Sequence, residues 1–215
     1  MVSCRAELDK SLSNGSRPST DPRPRGAFDR GILTPVPPPS SRPASPSDPD
    51  RTWRVAPHPV DAPASQALLL RYHTEVSDRF YGRPTPPEVL AAGFAAQDST
   101  GLSAPRGTFL VVREGDGDTA RWVGCAGVEL VPTASEPTAE LRRVFVDPAS
   151  RGRGMATALL DAAEAAAREL GAVVVRLDTR HDLVEALGLY AKRGYVDVPA
   201  FNADPYAQRW LARRL

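Results

Sequence analysis

The sequence predicts an α/β fold, a mixed sheet with helices on its faces. Three observations predict it. Between residues 51 and 215, strand-like and helix-like apolar spacings follow one another in the order β-α-α-β-β-β-α-β-α-β-β. One strand, Ala172 to Leu177, carries three consecutive valines, as buried parallel strands do. Another, Thr138 to Val146, runs through a glycine-rich turn into a long amphipathic helix.

The elements are justified in order. Thr52 to Ala56 is a short first strand, stopped by Pro57 and Pro59. Asp61 is placed to cap a helix running to about Phe80, with Ala67, Leu68, Leu70 and Val76 as its apolar positions. Pro86 and Pro87 suit the first turn of a second helix reaching Gln97. Thr108 to Arg113 and Trp122 to Leu130 form a hairpin around the turn Gly115-Asp116-Gly117-Asp118. Thr138 to Val146 follows, closed by Asp147-Pro148. The helix from Gly152 to Leu170 presents Met155, Leu159, Leu160 and Ala163 at helical spacing and stops at Gly171. After the valine strand come a helix from about Leu183 to Lys192, stopped by Gly194, and strands at Tyr195 to Val198 and Gln208 to Leu211.

Residues 1–50 follow a different logic. They hold ten of the 22 prolines. Proline fixes φ and removes a backbone donor, and few large apolar side chains are present to offset the entropy of ordering. The expected organisation is a disordered Pro/Ser/Arg-rich tail over 1–50 and one folded domain over 51–215. Seven basic and six acidic residues in the tail, and a net charge of +1 overall, argue against a nucleic-acid binder. Two cysteines exclude a disulfide framework and a cysteine-rich metal site. The three histidines, His58, His73 and His181, lack metal-ligand spacing and read as loop or surface residues; no metal is expected. No apolar run reaches the ~20 residues of a membrane span, and residues 1–30 contain no leader-like apolar core. A cytoplasmic protein without a membrane partner is expected.

The informative stretch is Val144-Phe145-Val146-Asp147-Pro148, then Arg151-Gly152-Arg153-Gly154-Met155-Ala156-Thr157 at a helix start. A helix N-terminus leaves about four N–H groups without partners and carries roughly half a positive charge. Gly152 and Gly154 put no side chain in an anion's way, and Arg151 and Arg153 add cationic donors. The combination suits a phosphate or pyrophosphate. Its spacing fits neither the nucleotide-triphosphate loop nor the dinucleotide fingerprint, since Thr157 stands where the latter needs glycine.

These residues resemble the GNAT superfamily of acetyl-CoA-dependent N-acetyltransferases, in a bacterial single-domain form. Arg151 to Ala156 matches its Arg/Gln-x-x-Gly-x-Gly/Ala signature, and Leu189-Tyr190 through Gly194-Tyr195 matches its Leu-Tyr-x-x-x-Gly-Phe/Tyr. The resemblance covers about residues 53–215. It implies a mostly antiparallel sheet, splayed where the cofactor lies. It implies that pantetheine runs along the backbone of Val144, Phe145 and Val146, with pyrophosphate on the amides of Gly152 to Thr157. It implies transfer of acetyl from acetyl-CoA to an amine without a metal. It assigns Tyr190 as the acid that protonates the leaving sulfur and Glu140 as a general base, with Glu129 or a water relay as alternatives. Leu183 stands where many relatives have asparagine, and Asp182 beside it is the possible substitute. Phe80, Tyr81, Phe201 and Tyr206, with Asp78, Glu88 and Asp204, fall on the acceptor side. A small amine, an amino acid, an aminoglycoside and a peptide N-terminus all stay open as acceptors, as does a monomer or homodimer. The competing functions are an acyl-CoA sensor of the same fold and a scaffold acting through the tail.

Overall fold

A computed structural model describes residues 52–131 and 136–215; the predicted tail over 1–50 lies outside the described residues. The described chain runs β1 (Trp53–Pro57), α1 (Pro63–Tyr81), α2 (Pro87–Ala95), β2 (Gly107–Glu114), β3 (Arg121–Val131), β4 (Thr138–Val146), α3 (Met155–Glu169), β5 (Val174–Thr179), α4 (Val184–Lys192), β6 (Val196–Asp197) and β7 (Arg209–Arg214). The strands make one sheet in the order β1-β2-β3-β4-β5-β7-β6. Every pairing is antiparallel except β4 with β5.

Strand alternation sends side chains to two cores. Leu110, Val112, Val128, Leu141, Val175 and Leu177 face Met155, Leu159, Leu160 and Ala163 of α3 and Tyr190 of α4. Phe109, Val111, Cys125 and Phe145 face Leu68 and Leu69 of α1. Leu159 and Leu160 are fully buried, so truncating either to alanine is expected to cost about 2–5 kcal/mol. Cys125 is a core residue; burial pushes its thiol up, which keeps it inert.

Several boundaries differ from the sequence reading, each for a physical reason. Ala62, not Asp61, is the N-cap of α1, because Pro63 at N1 sets the helix start without a side-chain cap. The run Leu68-Leu69-Leu70 allows two phases, and the structure buries Leu69 while Leu70 stays 40% exposed. That phase also buries His73, which is neither a loop nor a surface residue. Helix α3 begins at Met155 rather than Gly152, because Gly152 and Gly154 are spent on left-handed turns with φ of 78° each.

Two irregularities shape β4. Its register with β3 slips between Cys125 and Gly127, so Arg143 and Val144 stand opposite the single residue Ala126. Arg143 takes φ of 58°, the left-handed region that costs a side-chain-bearing residue about 1–2 kcal/mol. The extra residue reverses the alternation, so Phe145 buries on the α1 face while Val144 and Val146 pack on the α3 face. The second irregularity is the parting from β5. Their parallel register covers Thr138↔Val174, Ala139↔Val175 and Glu140↔Arg176, and then ends. Beyond it β5 stays paired with β7 and β4 with β3, so the two strands diverge as a V.

Candidate active site

The open end of the V carries the glycine loop. After Val146 the chain makes a short 3-10 turn over Pro148–Ser150 and passes through the two left-handed glycines into α3. Gly154 is the N-cap and supplies no side-chain cap, so the first amides of α3 are not consumed by one. A cavity of about 260 Å³ sits there, lined by Val146, Arg151, Gly152, Gly154, Met155, Ala156 and Thr157. Seven of the ten expected cofactor residues therefore surround one space. Val144 and Phe145 put their side chains into the two cores and offer only backbone to the V. Arg153 turns away from the cavity toward β2, pairing with Glu114 and bonding Thr52 Oγ1 at 3.1 Å.

Arg151 is held from two sides. Its Nε donates to the Val146 carbonyl at 2.9 Å, and its Nη2 donates to both oxygens of Glu75 on α1 at 2.6 and 2.7 Å. Arg79, one turn further along α1, donates to the Asp182 carbonyl at 2.7 Å and to Glu185 at 3.1 Å. Helix α1 is thereby ion-paired to both sides of the V.

The closed end is built from side chains. Glu140 and Arg176 are the last paired residues, and they form an ion pair: Nε and Nη2 of Arg176 both lie 3.3 Å from Oε2 of Glu140. Burial lifts the Glu140 carboxyl above its usual range, against the pull of Arg176 and Arg142 and with a push from Asp178. Glu129, directly across from Glu140 on β3, is clamped by Arg142 at 2.8 Å and Arg106 at 3.1 Å. Of the two predicted candidates for a base, Glu129 is thus the one engaged by two arginines, while Oε1 of Glu140 takes no hydrogen bond from the described residues.

Tyr190 is buried on α4, its ring 5.6 Å from that of Tyr195. Burial raises its phenol, with smaller pushes from Tyr72 and Asp178. Tyr72 belongs to α1 and Asp178 to β5. The phenol is protonated at neutral pH.

Of the three acids expected to attract a cation, Glu88 is exposed in the first turn of α2 and the other two accept local amides. Asp78 accepts the Thr85 amide at 2.7 Å and Asp204 accepts the Tyr206 amide at 2.9 Å. Phe80, Tyr81 and Tyr206 do come together, with Phe80 edge-on to both at 5.0 and 5.1 Å. Phe201 lies elsewhere, its ring centre 3.9 Å from the Arg176 guanidinium carbon. At the position that departs from the family, Leu183 is the N-cap of α4, and Asp182 is held by both nitrogens of Arg180 at 2.7 Å. That hydrogen bond holds the Asp182 carboxyl below its usual range.

Two features escaped the sequence reading. Arg176 and Asp178 alternate with the buried Val175 and Leu177; the signal was this polar alternation, hidden by ending the strand at Leu177. His73 packs on Phe94, with Gln97 Nε2 2.6 Å from its Nδ1. Burial, then Arg143, lower its pKa and keep the ring neutral. Among the described residues no group of histidine, cysteine or acidic side chains is arranged to hold a metal, and no helix is long and apolar enough to cross a membrane.

Comparison with known proteins follows the same geometry. The family model of the acetyltransferase (GNAT) family matches residues 70–195, more than half of the chain. No curated protein matches. An acetyltransferase from Streptococcus agalactiae has the same fold with a TM-score of 0.59 and 15% identity, over 77% of this chain and 99% of its own. A GNAT-family acetyltransferase from Staphylococcus aureus gives 0.57 and 15% over 75% and 98%. The PaiA N-acetyltransferase of Thermoplasma acidophilum, solved with coenzyme A, gives 0.56 and 15% over 76% and 99%.

Proposed function

Because the chain belongs to the acetyltransferase (GNAT) family, we propose that it transfers acetyl from acetyl-CoA to a primary amine by direct attack. The observation that carries this reading is the V between β4 and β5, with the glycine loop at its open end and Glu140 at the other. From Val146 back to Glu140 the strand spans roughly 20 Å, long enough for an extended pantetheine arm lying on its backbone.

Each step has a group to perform it. An alkylammonium, with pKa about 10.4, has no lone pair and must lose a proton. Glu140 Oε1 receives it, and a carboxyl raised by burial is a better proton acceptor than an exposed one. The neutral nitrogen then attacks the thioester carbonyl, whose oxyanion needs a fixed N–H donor; the unpaired edge of β4 near Val144 supplies backbone amides. When the C–S bond breaks, the sulfur takes the Tyr190 proton, and the attacking nitrogen gives up its second proton, which passes through solvent to restore the phenol.

Titration calorimetry with acetyl-CoA, followed by a thiol-release assay across primary amines, tests this reading. Binding together with amine-dependent release supports it. Binding with no release from any amine favours a sensor, and a folded chain that fails to bind overturns the placement of the cofactor.

A further inference from the structure

We propose that the acceptor amine carries a neighbouring carboxylate, as a free α-amino acid does, and that Arg176 is the residue that receives it. The inference rests on the acetyl-transfer reading above and names its substrate class.

Arg176 uses less of its hydrogen-bonding capacity than Arg180, Arg193 or Arg142. Arg180 gives two bonds of 2.7 Å to Asp182 and a third of 2.9 Å to the Val76 carbonyl. Arg193 is held by Glu164 and Asp161, and Arg142 by Glu129 and the Asp98 carbonyl. Arg176 directs two nitrogens at a single oxygen, both at 3.3 Å. Charge-assisted bonds are usually ~2.7–2.9 Å. Its Nη1 donors have no acceptor among the described residues, yet the side chain is only 20% exposed. The unpaired end of this guanidinium is still open to solvent, so an incoming anion can reach it.

Its setting is that of a receptor. Its guanidinium carbon lies 3.9 Å from the centre of the Phe201 ring, a cation–π contact that restrains the group. Asn202, next in sequence, is pinned by Asp178 and Trp210, so the segment carrying Phe201 is itself anchored. Arg176 sits at the last paired position of the V, beside Glu140. The Glu140 and Arg176 side chains touch, at 3.3 Å, so an amine giving its proton to Glu140 and a carboxylate bound by Arg176 are held close enough to belong to one α-amino acid. Glu140 and Asp178 place negative charge beside Arg176, so the setting offers the amine of a zwitterion a partner as well as its carboxylate. A planar carboxylate fits the fork in two-pronged fashion.

The test compares each of the twenty α-amino acids with its methyl ester as acceptor, at saturating acetyl-CoA, with rates expressed per neutral amine. The expected result is that the best amino acid exceeds its own ester by about tenfold or more in kcat/KM, mainly through KM. In Arg176→Gln that ratio falls toward one, and Arg176→Lys, charged but without a fork, recovers part of it. Acetyl-CoA affinity of each variant reports that it is folded; if Arg176→Gln does not fold, the acid-to-ester ratio of the wild type decides alone. Esters turned over as well as acids, or equal loss of both in a folded Arg176→Gln, overturns the inference. Release with simple alkylamines but with no amino acid also overturns it and leaves acetyl transfer standing. Release with no amine at all overturns both.

Discussion

The two ends of the V are made of different material. The open end is backbone: two left-handed glycines, an uncapped helix start and the edge of β4. The closed end is side chains: Glu140 of β4 is ion-paired with Arg176 of β5, with Asp178 two residues further along β5. A backbone site tolerates many side chains but depends on conformation. A side-chain site tolerates backbone variation but depends on identity. Substitutions at the two ends should therefore fail in different ways.

The largest effect is expected at the open end. A Cβ at Gly154 would meet nothing within 4 Å, so Gly154→Ala pays only the left-handed φ, about 1–2 kcal/mol. Gly154→Glu adds a negative charge at the proposed pyrophosphate and should weaken acetyl-CoA binding about a hundredfold or more. Calorimetry on both variants separates strain from charge; equal losses would mean that the anion does not sit at this loop. On α4, Tyr190→Phe removes a hydroxyl without removing the packing ring. It should lower kcat by about ten- to a hundredfold and leave the acetyl-CoA dissociation constant within about twofold. A matching loss of affinity would make the phenol a binding group instead of an acid.

Glu140→Gln is expected to lower kcat about tenfold, and it has a second signature in stability. Burial raises the native-state carboxyl, so the native protein binds this proton more tightly than the unfolded chain. The stability this provides is complete below the unfolded value of about 4.3 and is lost as pH rises through the raised native value. Wild type should therefore gain stability relative to Glu140→Gln as pH is lowered through that interval, as read by denaturant melts. A difference that runs the other way would mean that Arg176, not desolvation, governs the group.

The same contrast explains what could be read from the sequence. Strand β4 has the bounds read from its residues, Thr138 to Val146, and the glycine loop that follows it carries its chemistry in spacing alone. Backbone sites leave such traces because glycine positions are local. The bulge at Arg143 leaves none, since it depends on register with β3. The Arg176 contacts are equally silent, because Glu140, Arg176 and Phe201 meet only through the parallel pairing and the returning β7. The acids Asp78 and Asp204 looked available in the sequence because nothing there shows the amides of Thr85 and Tyr206 that occupy them.

The smallest expected effect lies where the two kinds of site meet. Glu75 of α1 holds Nη2 of Arg151, while Nε of the same arginine stays on the Val146 carbonyl. Both partners are partly solvated, at 40% and 21% side-chain exposure, so the pair is worth about 0.2–1 kcal/mol. Two effects compete in Glu75→Gln. Losing the carboxylate frees Arg151 and removes a negative charge beside the proposed pyrophosphate, which favours binding. Losing the pair also lets the long side chain wander, which disfavours it. The Nε anchor survives the substitution, so the ordering loss is the smaller of the two. Acetyl-CoA affinity should rise by about two- to fivefold at low salt, and the gain should shrink as salt screens the charge. A loss of affinity that is insensitive to salt would mean that Glu75 orients Arg151 for the cofactor, and the open end would then depend on a side chain after all.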